Sequence, residues 1–106
     1  MIVKRNSIKP SQPFPGVTRR VMAHNPAVML TEHRLAKGAV LPEHNHVHQQ
    51  LIYFVSGRVL LETPGSRSEL EPGDSLVLLP NEVHKVTALE DSVALDIFVP
   101  AREDYL

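Results

Sequence analysis

Nine prolines and five glycines are spread through 106 residues, and they leave no periodic run long enough for a stable helix. Between these breakers lie short segments rich in Val, Ile, Leu, Tyr and Phe. Strands are expected over Val28 to Leu35, His44 to Val55, Val59 to Glu62, Ser75 to Leu79, His84 to Ala88 and Ser92 to Val99. Turn signals separate them: Lys37-Gly38, Ser56-Gly57-Arg58, Thr63-Pro64-Gly65-Ser66 and Glu71-Pro72-Gly73-Asp74. Asp74 is expected to cap backbone amides of its turn. Strands recurring at close spacing with such punctuation indicate an all-β sandwich or barrel. The only helical candidate is a short turn at Glu103 to Leu106. Residues 1–20, with Pro10, Pro13 and Pro15, read as an extended N-terminal arm, which leaves residues 21–106 as the folded domain.

Charge and composition remove several function classes. The formal net charge is −1, and Arg19-Arg20 is too small a basic run, so binding to nucleic acid or a membrane surface by bulk electrostatics is not expected. There is no cysteine, hence no disulfide frame, thiolate metal site or cysteine nucleophile. The longest aliphatic run, Leu76 to Leu79, is far too short to span a bilayer. The opening MIVKRNSIKP lacks the apolar run of a signal peptide. These features suggest a cytoplasmic location.

The chemistry concentrates in histidines. His44, His46, His48 and Gln50 alternate along one expected strand, so their side chains share a face. His84 opens another strand. Neutral imidazole is the commonest protein metal ligand, and rings from two segments suggest a metal site. Spacing within the strand leaves open whether His44/His46 or His46/His48 is the coordinating pair. His24 and His33 fall outside this pattern and read as ordinary surface or strand residues. The last strand places Val93, Leu95, Ile97 and Val99 on one face, with Asp96 and Phe98 on the other. Both faces are largely apolar, so one should line the interior and the other meet a partner subunit or the N-terminal arm, and a homodimer is expected. Tyr53 has the opposite parity to Gln50 and is expected in core or interface packing.

These residues resemble the cupin superfamily. Its first motif, G-x5-H-x-H-x3,4-E-x6-G, is matched by Gly38, His44, His46, Gln50 and Gly57, with glutamine in the usual glutamate position. Its second motif is matched in PGDSLVLLPNEVH by Gly73, Asp74, Pro80 and His84. Asn81 stands where glycine is common, and asparagine tolerates positive φ better than other non-glycine residues. The resemblance implies a cupin jelly-roll β-barrel holding one divalent transition metal through His44, His46, Gln50 and His84. The Gly38 spacing favours His44/His46 as the pair and makes His48 a pocket residue. Such a shell is neutral and lacks sulfur, which suits Zn, Ni, Fe, Mn, Co or Cu.

The tail DIFVPAREDYL is similar to the ending of the KdgF-like cupins of pectin degradation, which also carry an H-x-H-x-H-x-Q segment. That resemblance implies a small carboxylated sugar as substrate: a cyclic 4,5-unsaturated uronate opened to its linear keto form. It implies catalytic roles for Asp96 and Arg102, with Phe98 lining the pocket. Arg102 would grip the substrate carboxylate through its planar fork. Bland roles stand beside these. Asp96 would be a paired structural carboxylate, and Arg102 would bridge to Glu103 or Asp104 of a partner chain. Two other activities fit a cupin with this shell: a metal-dependent dioxygenase acting on an enol or flavonol, and a non-catalytic small-molecule binder.

Overall fold

The computed structural model describes all 106 residues. Ten strands run in chain order: β1 (Ser11–Phe14), β2 (Val17–Asn25), β3 (Val28–Leu35), β4 (Val40–His44), β5 (Gln49–Ser56), β6 (Val59–Thr63), β7 (Ser66–Leu70), β8 (Ser75–Leu78), β9 (His84–Ala88) and β10 (Ser92–Val99). Short 3-10 turns occupy Arg5–Ser7 and Glu103–Tyr105, the latter at the expected C-terminal position. No helix is long and apolar enough to cross a membrane.

The strands form two antiparallel sheets, one ordered β1-β2-β3-β10-β5-β8 and the other β4-β9-β6-β7. The fold is a cupin-type jelly roll, although no ladder of hydrogen bonds closes the two sheets into a continuous barrel. Alternation decides which side chains are buried between them. Along β10, Ser92, Ala94, Asp96 and Phe98 are buried while the intervening residues are partly or fully exposed. Gln50, Ile52 and Phe54 do the same on β5, and Met29, Thr31, His33 and Leu35 are buried on β3, where the intervening Glu32 is buried as well. The core joins Val17, Leu35, Ile52, Phe54, Leu78 and Ala94 from the larger sheet to Val59, Val86 and Ala88 from the smaller.

Three features depart from the expected strands. The run His44 to Val55 is not continuous: β4 ends at His44 and β5 begins at Gln49. The two pieces belong to different sheets, so residues 45–48 turn a corner between them and strand parity does not govern His46 and His48. Residues 11–14 and 17–20, within the segment expected as an arm, lie in β1 and β2. Pro13 is tolerated there because β1 is an edge strand. β7 carries no apolar alternation. Its sequence SRSEL is almost wholly exposed, and it forms through pairing with β6.

The turns follow the expected chemistry. Asn81 has φ 65°, and Asp74 accepts a hydrogen bond from the backbone N–H of Glu71 at 2.8 Å. Gly57 has φ 85°, and a methyl group there would collide with the backbone of Asp91 and Ser92. The N-terminal segment is tied down by Glu32 on the outer face of β3. That carboxylate accepts two hydrogen bonds from Arg5, at 2.8 and 2.9 Å, and one from Arg34 at 2.9 Å. The hydrogen bond from Arg5 is the main cause holding its pKa down at about 2, with Arg34 adding to it.

Candidate metal centre and adjoining pocket

Register assembles the histidine cluster. β4 pairs with β9 so that His44 stands opposite His84. The corner after β4 then brings His46 back toward both. Ring centroids lie 4.2 Å apart for His44–His84, 5.2 Å for His46–His84 and 5.8 Å for His44–His46. One ligand atom from each ring lies within 4.8 Å of the others. Three imidazoles converging in this way would be able to hold a divalent ion.

Hydrogen bonds fix which atoms face inward. The Nδ1–H of His44 donates to the Pro42 carbonyl at 2.7 Å, that of His46 to His48 at 2.9 Å, and that of His84 to Glu82 at 2.8 Å. A neutral imidazole protonated at Nδ1 keeps its lone pair on Nε2. Burial pushes the pKa values of His46 and His84 below the ordinary imidazole range, so both rings are neutral at pH 7. His84 Nε2 is buried without any partner. An orphaned buried acceptor costs about 1–3 kcal/mol, which a bound cation would relieve.

Gln50 completes the set. Its Nε2 donates to Asp96 Oδ2 at 2.7 Å, which orients the amide and turns Oε1 toward His46 Nε2, 2.8 Å away. With His46 neutral and donating from Nδ1, both facing atoms are acceptors, and they can share a cation but not a hydrogen bond. The donor set of three imidazoles and an amide oxygen fits a divalent transition metal.

A cavity of about 480 Å³ opens beside this cluster, a size typical of small-molecule sites. Among the residues expected at the site, His44, Gln50, His84, Asp96, Phe98 and Arg102 line it. His46 and His48 do not. Their rings pack edge-on against Phe98, at 5.8 and 6.4 Å between centroids. The His48 contribution on view is its carbonyl, which orients His46.

Asp96 sits on the inner face of β10, buried, with Oδ2 held by Gln50. His33 Nδ1 lies 3.7 Å from the same oxygen. Arg19 Nε donates to His33 Nε2 at 3.0 Å, so the ring proton is on Nδ1, toward Asp96. Arg102 is buried, and its Nε and Nη2 both bond Asp104 of its own chain, at 3.0 and 2.9 Å. That hydrogen-bonded guanidinium holds the Asp104 carboxyl below its usual range. The fork expected to hold a substrate is therefore occupied within the chain, and only Arg102 Nη1 is left, buried and unpartnered. Tyr105 carries both arginines: the Arg19 guanidinium carbon is 3.5 Å from its ring centroid and that of Arg102 is 4.3 Å away.

Arg19, His33, Asp104 and Tyr105 were not expected at the site. For His33 the signal was present: it shares parity with Thr31 and Leu35 in a strand the sequence reveals, so it points inward. Arg19 could be found only once its strand was known. Arg19 and Arg20 then point to opposite faces, Arg19 beside His33 and Arg20 beside Glu32.

The similarities to known proteins agree with this geometry. The cupin domain family model matches residues 31–99. The pectin degradation protein KdgF of Dickeya dadantii (strain 3937) is 33% identical over 93 residues, covering 86% of this chain and 84% of that protein. The structure of KdgF from Halomonas sp. superimposes with a TM-score of 0.93 at 33% identity, over 100% of this chain and 98% of that one. An RmlC-like cupin from Shewanella frigidimarina NCIMB 400 gives a TM-score of 0.94 at 27% identity, over 99% and 95% of the two chains. Fold, histidine cluster and similarity converge: this chain belongs to the cupin family and is a KdgF-like member of it.

Proposed function

We propose that the protein converts a cyclic 4,5-unsaturated uronate, the monosaccharide product of a pectate or alginate lyase, to its linear keto form. A divalent transition metal would be held by His44, His46, His84 and Gln50. The observation that carries this reading is the placement of a buried carboxylate and two arginines in one cavity with converging imidazole lone pairs. The bound metal would supply polarisation of a substrate oxygen.

The reaction is an isomerisation. A proton leaves the C1 hydroxyl as the C1–O5 bond breaks, leaving a C1 aldehyde and an enolate at C4–C5–O5, and the enolate takes one proton at C4 to give the ketone, so atoms and electrons balance without an oxidant. Asp96 is the group in the cavity suited to move that proton. Its Oδ2 is held by Gln50, while Oδ1 makes no hydrogen bond within the protein and is the oxygen left to act. Phe98 and its aromatic neighbours give the cavity an apolar wall that limits competing water. A homodimer is part of this proposal. The exposed or half-exposed row Ile97–Leu51–Val77, across β10, β5 and β8, is an apolar outer face of the kind a second copy would cover. A cytoplasmic setting suits the cysteine-free chain.

The test is turnover of lyase-generated unsaturated monosaccharides by metal-reconstituted protein, followed as loss of their ultraviolet absorbance. Oxygen-independent loss is expected, together with a fall in kcat of about 100-fold or more in Asp96→Asn. Wild-type turnover in Asp96→Asn, or turnover that consumes oxygen, would contradict the proposal.

A further inference from the structure

We propose that Arg19 is a specificity-determining residue of this pocket, binding the carboxylate of the substrate through its free guanidinium nitrogens, with Arg102 Nη1 as a second donor. This rests on the uronate reading and deepens it by assigning the recognition of the acid group. The premise is a contrast among the arginines. The chain has seven, and Arg5, Arg20, Arg34, Arg58, Arg67 and Arg102 each form an ion pair with a carboxylate. Arg19 forms none. It nevertheless lies on the inner face of β2, half-buried, in the wall of the cavity.

Its side chain is held from two directions. Nε donates to His33 Nε2 at 3.0 Å, and the guanidinium carbon rests 3.5 Å from the centre of the Tyr105 ring. Arg102 rests against the same ring, so two cations share one aromatic surface. Burial is the main cause that lowers the Arg19 pKa, and the nearby charge of Arg102 lowers it further. Asp104 neutralises Arg102 through its bidentate pair, whereas Asp96 is engaged by Gln50. A fixed, partly desolvated cation with two nitrogens uncommitted is the donor arrangement that grips a carboxylate. A neutral sugar of the same shape would leave it unpaired, which is how such a site discriminates.

The measurement is kcat and KM for wild type, Arg19→Ala and Arg19→Lys, on the unsaturated uronate and on its methyl ester. Thermal melting of each variant checks that it is folded. On the acid, Arg19→Ala is expected to raise KM about 10- to 100-fold, the loss of one or two charge-assisted hydrogen bonds, with kcat changed far less. On the ester, wild type and Arg19→Ala should have similar KM. Arg19→Lys should recover part of the KM on the acid, because it restores charge although it cannot reproduce the bond to His33. An unchanged KM, or an equal loss on acid and ester, would overturn the assignment and leave Arg19 a structural support for His33 and Tyr105. If wild type turns over no unsaturated uronate, the activity proposal fails separately. Calorimetric titration of metal-reconstituted protein with D-galacturonate and D-galactose then decides the matter. Binding of the acid alone, lost in Arg19→Ala, supports the assignment; equal binding of both sugars, or of neither, overturns it.

Discussion

Gln50 is the residue on which the two halves of the site depend. Its amide hydrogen holds Asp96 and its carbonyl oxygen faces His46, so one side chain joins the proposed proton carrier to the proposed metal shell. Gln50→Glu replaces the donor with a second carboxylate about where Nε2 now lies. Two carboxylates at hydrogen-bond distance cannot both stay ionised without strong repulsion. The variant is expected to keep its metal, since the new oxygen is still a ligand, while kcat falls about 100-fold. Steady-state kinetics with metal analysis on the same sample checks this. Equal loss of metal and activity would mean that Gln50 acts only through the shell. Gly57 makes a different demand, since φ 85° and the neighbouring backbone of Asp91 and Ser92 leave no room for a side chain. Gly57→Ala should lose at least about 2 kcal/mol in chemical denaturation.

Among the elements, β3 carries different chemistry on each face. His33 lines the cavity, and Glu32 points out to Arg5, Arg20 and Arg34. The Glu32 carboxyl ionises at about 2 in the folded chain against an ordinary value of 4.5. Between those values the unfolded chain binds a proton that the folded chain does not. The stabilisation is therefore complete above about pH 4.5 and is lost as pH falls toward 2. Glu32→Gln should lose about 1–2 kcal/mol at pH 7, allowing for solvent screening, and the difference from wild type should shrink steadily below pH 4. Denaturant midpoints across that range test the sign. Legibility differed by element. β9 and β10 follow from period-two burial, and β3 from its apolar residues between turn signals. β1 and β7 have no apolar face to betray them and exist through their partners β2 and β6. The clustered histidines His44, His46 and His84 were legible from motif spacing, although the single strand expected to carry His44 and His46 is two strands in different sheets. The four residues 45–48 cross between sheets, and it is that corner which turns His46 toward His44 and His84. Arg19 was hidden because its face depends on β2 register, which local sequence does not specify.

For the whole molecule, the cavity between the two sheets is lined both by core residues such as Leu35, Ile52 and Val86 and by the polar side chains of His44, His84 and Asp96. The outer face of β10, β5 and β8 should be covered in a dimer, so light scattering at micromolar concentration is expected to report twice the 11.8 kDa chain mass. Leu51→Glu, placed at the centre of the apolar row, should shift that mass toward monomer. A concentration-independent monomer in the wild type would remove the dimer. Imidazoles from the smaller sheet, His44 and His84, and from the corner after it, His46, are proposed to hold one cation beside Asp96, and metal analysis of untagged protein is the direct check. Protein purified without chelator and then offered Zn, Ni, Mn or Fe should retain about one ion per chain through dialysis, and His84→Ala should lose it while remaining folded. Retention of no ion by the wild type, or undiminished retention by His84→Ala, would contradict the account.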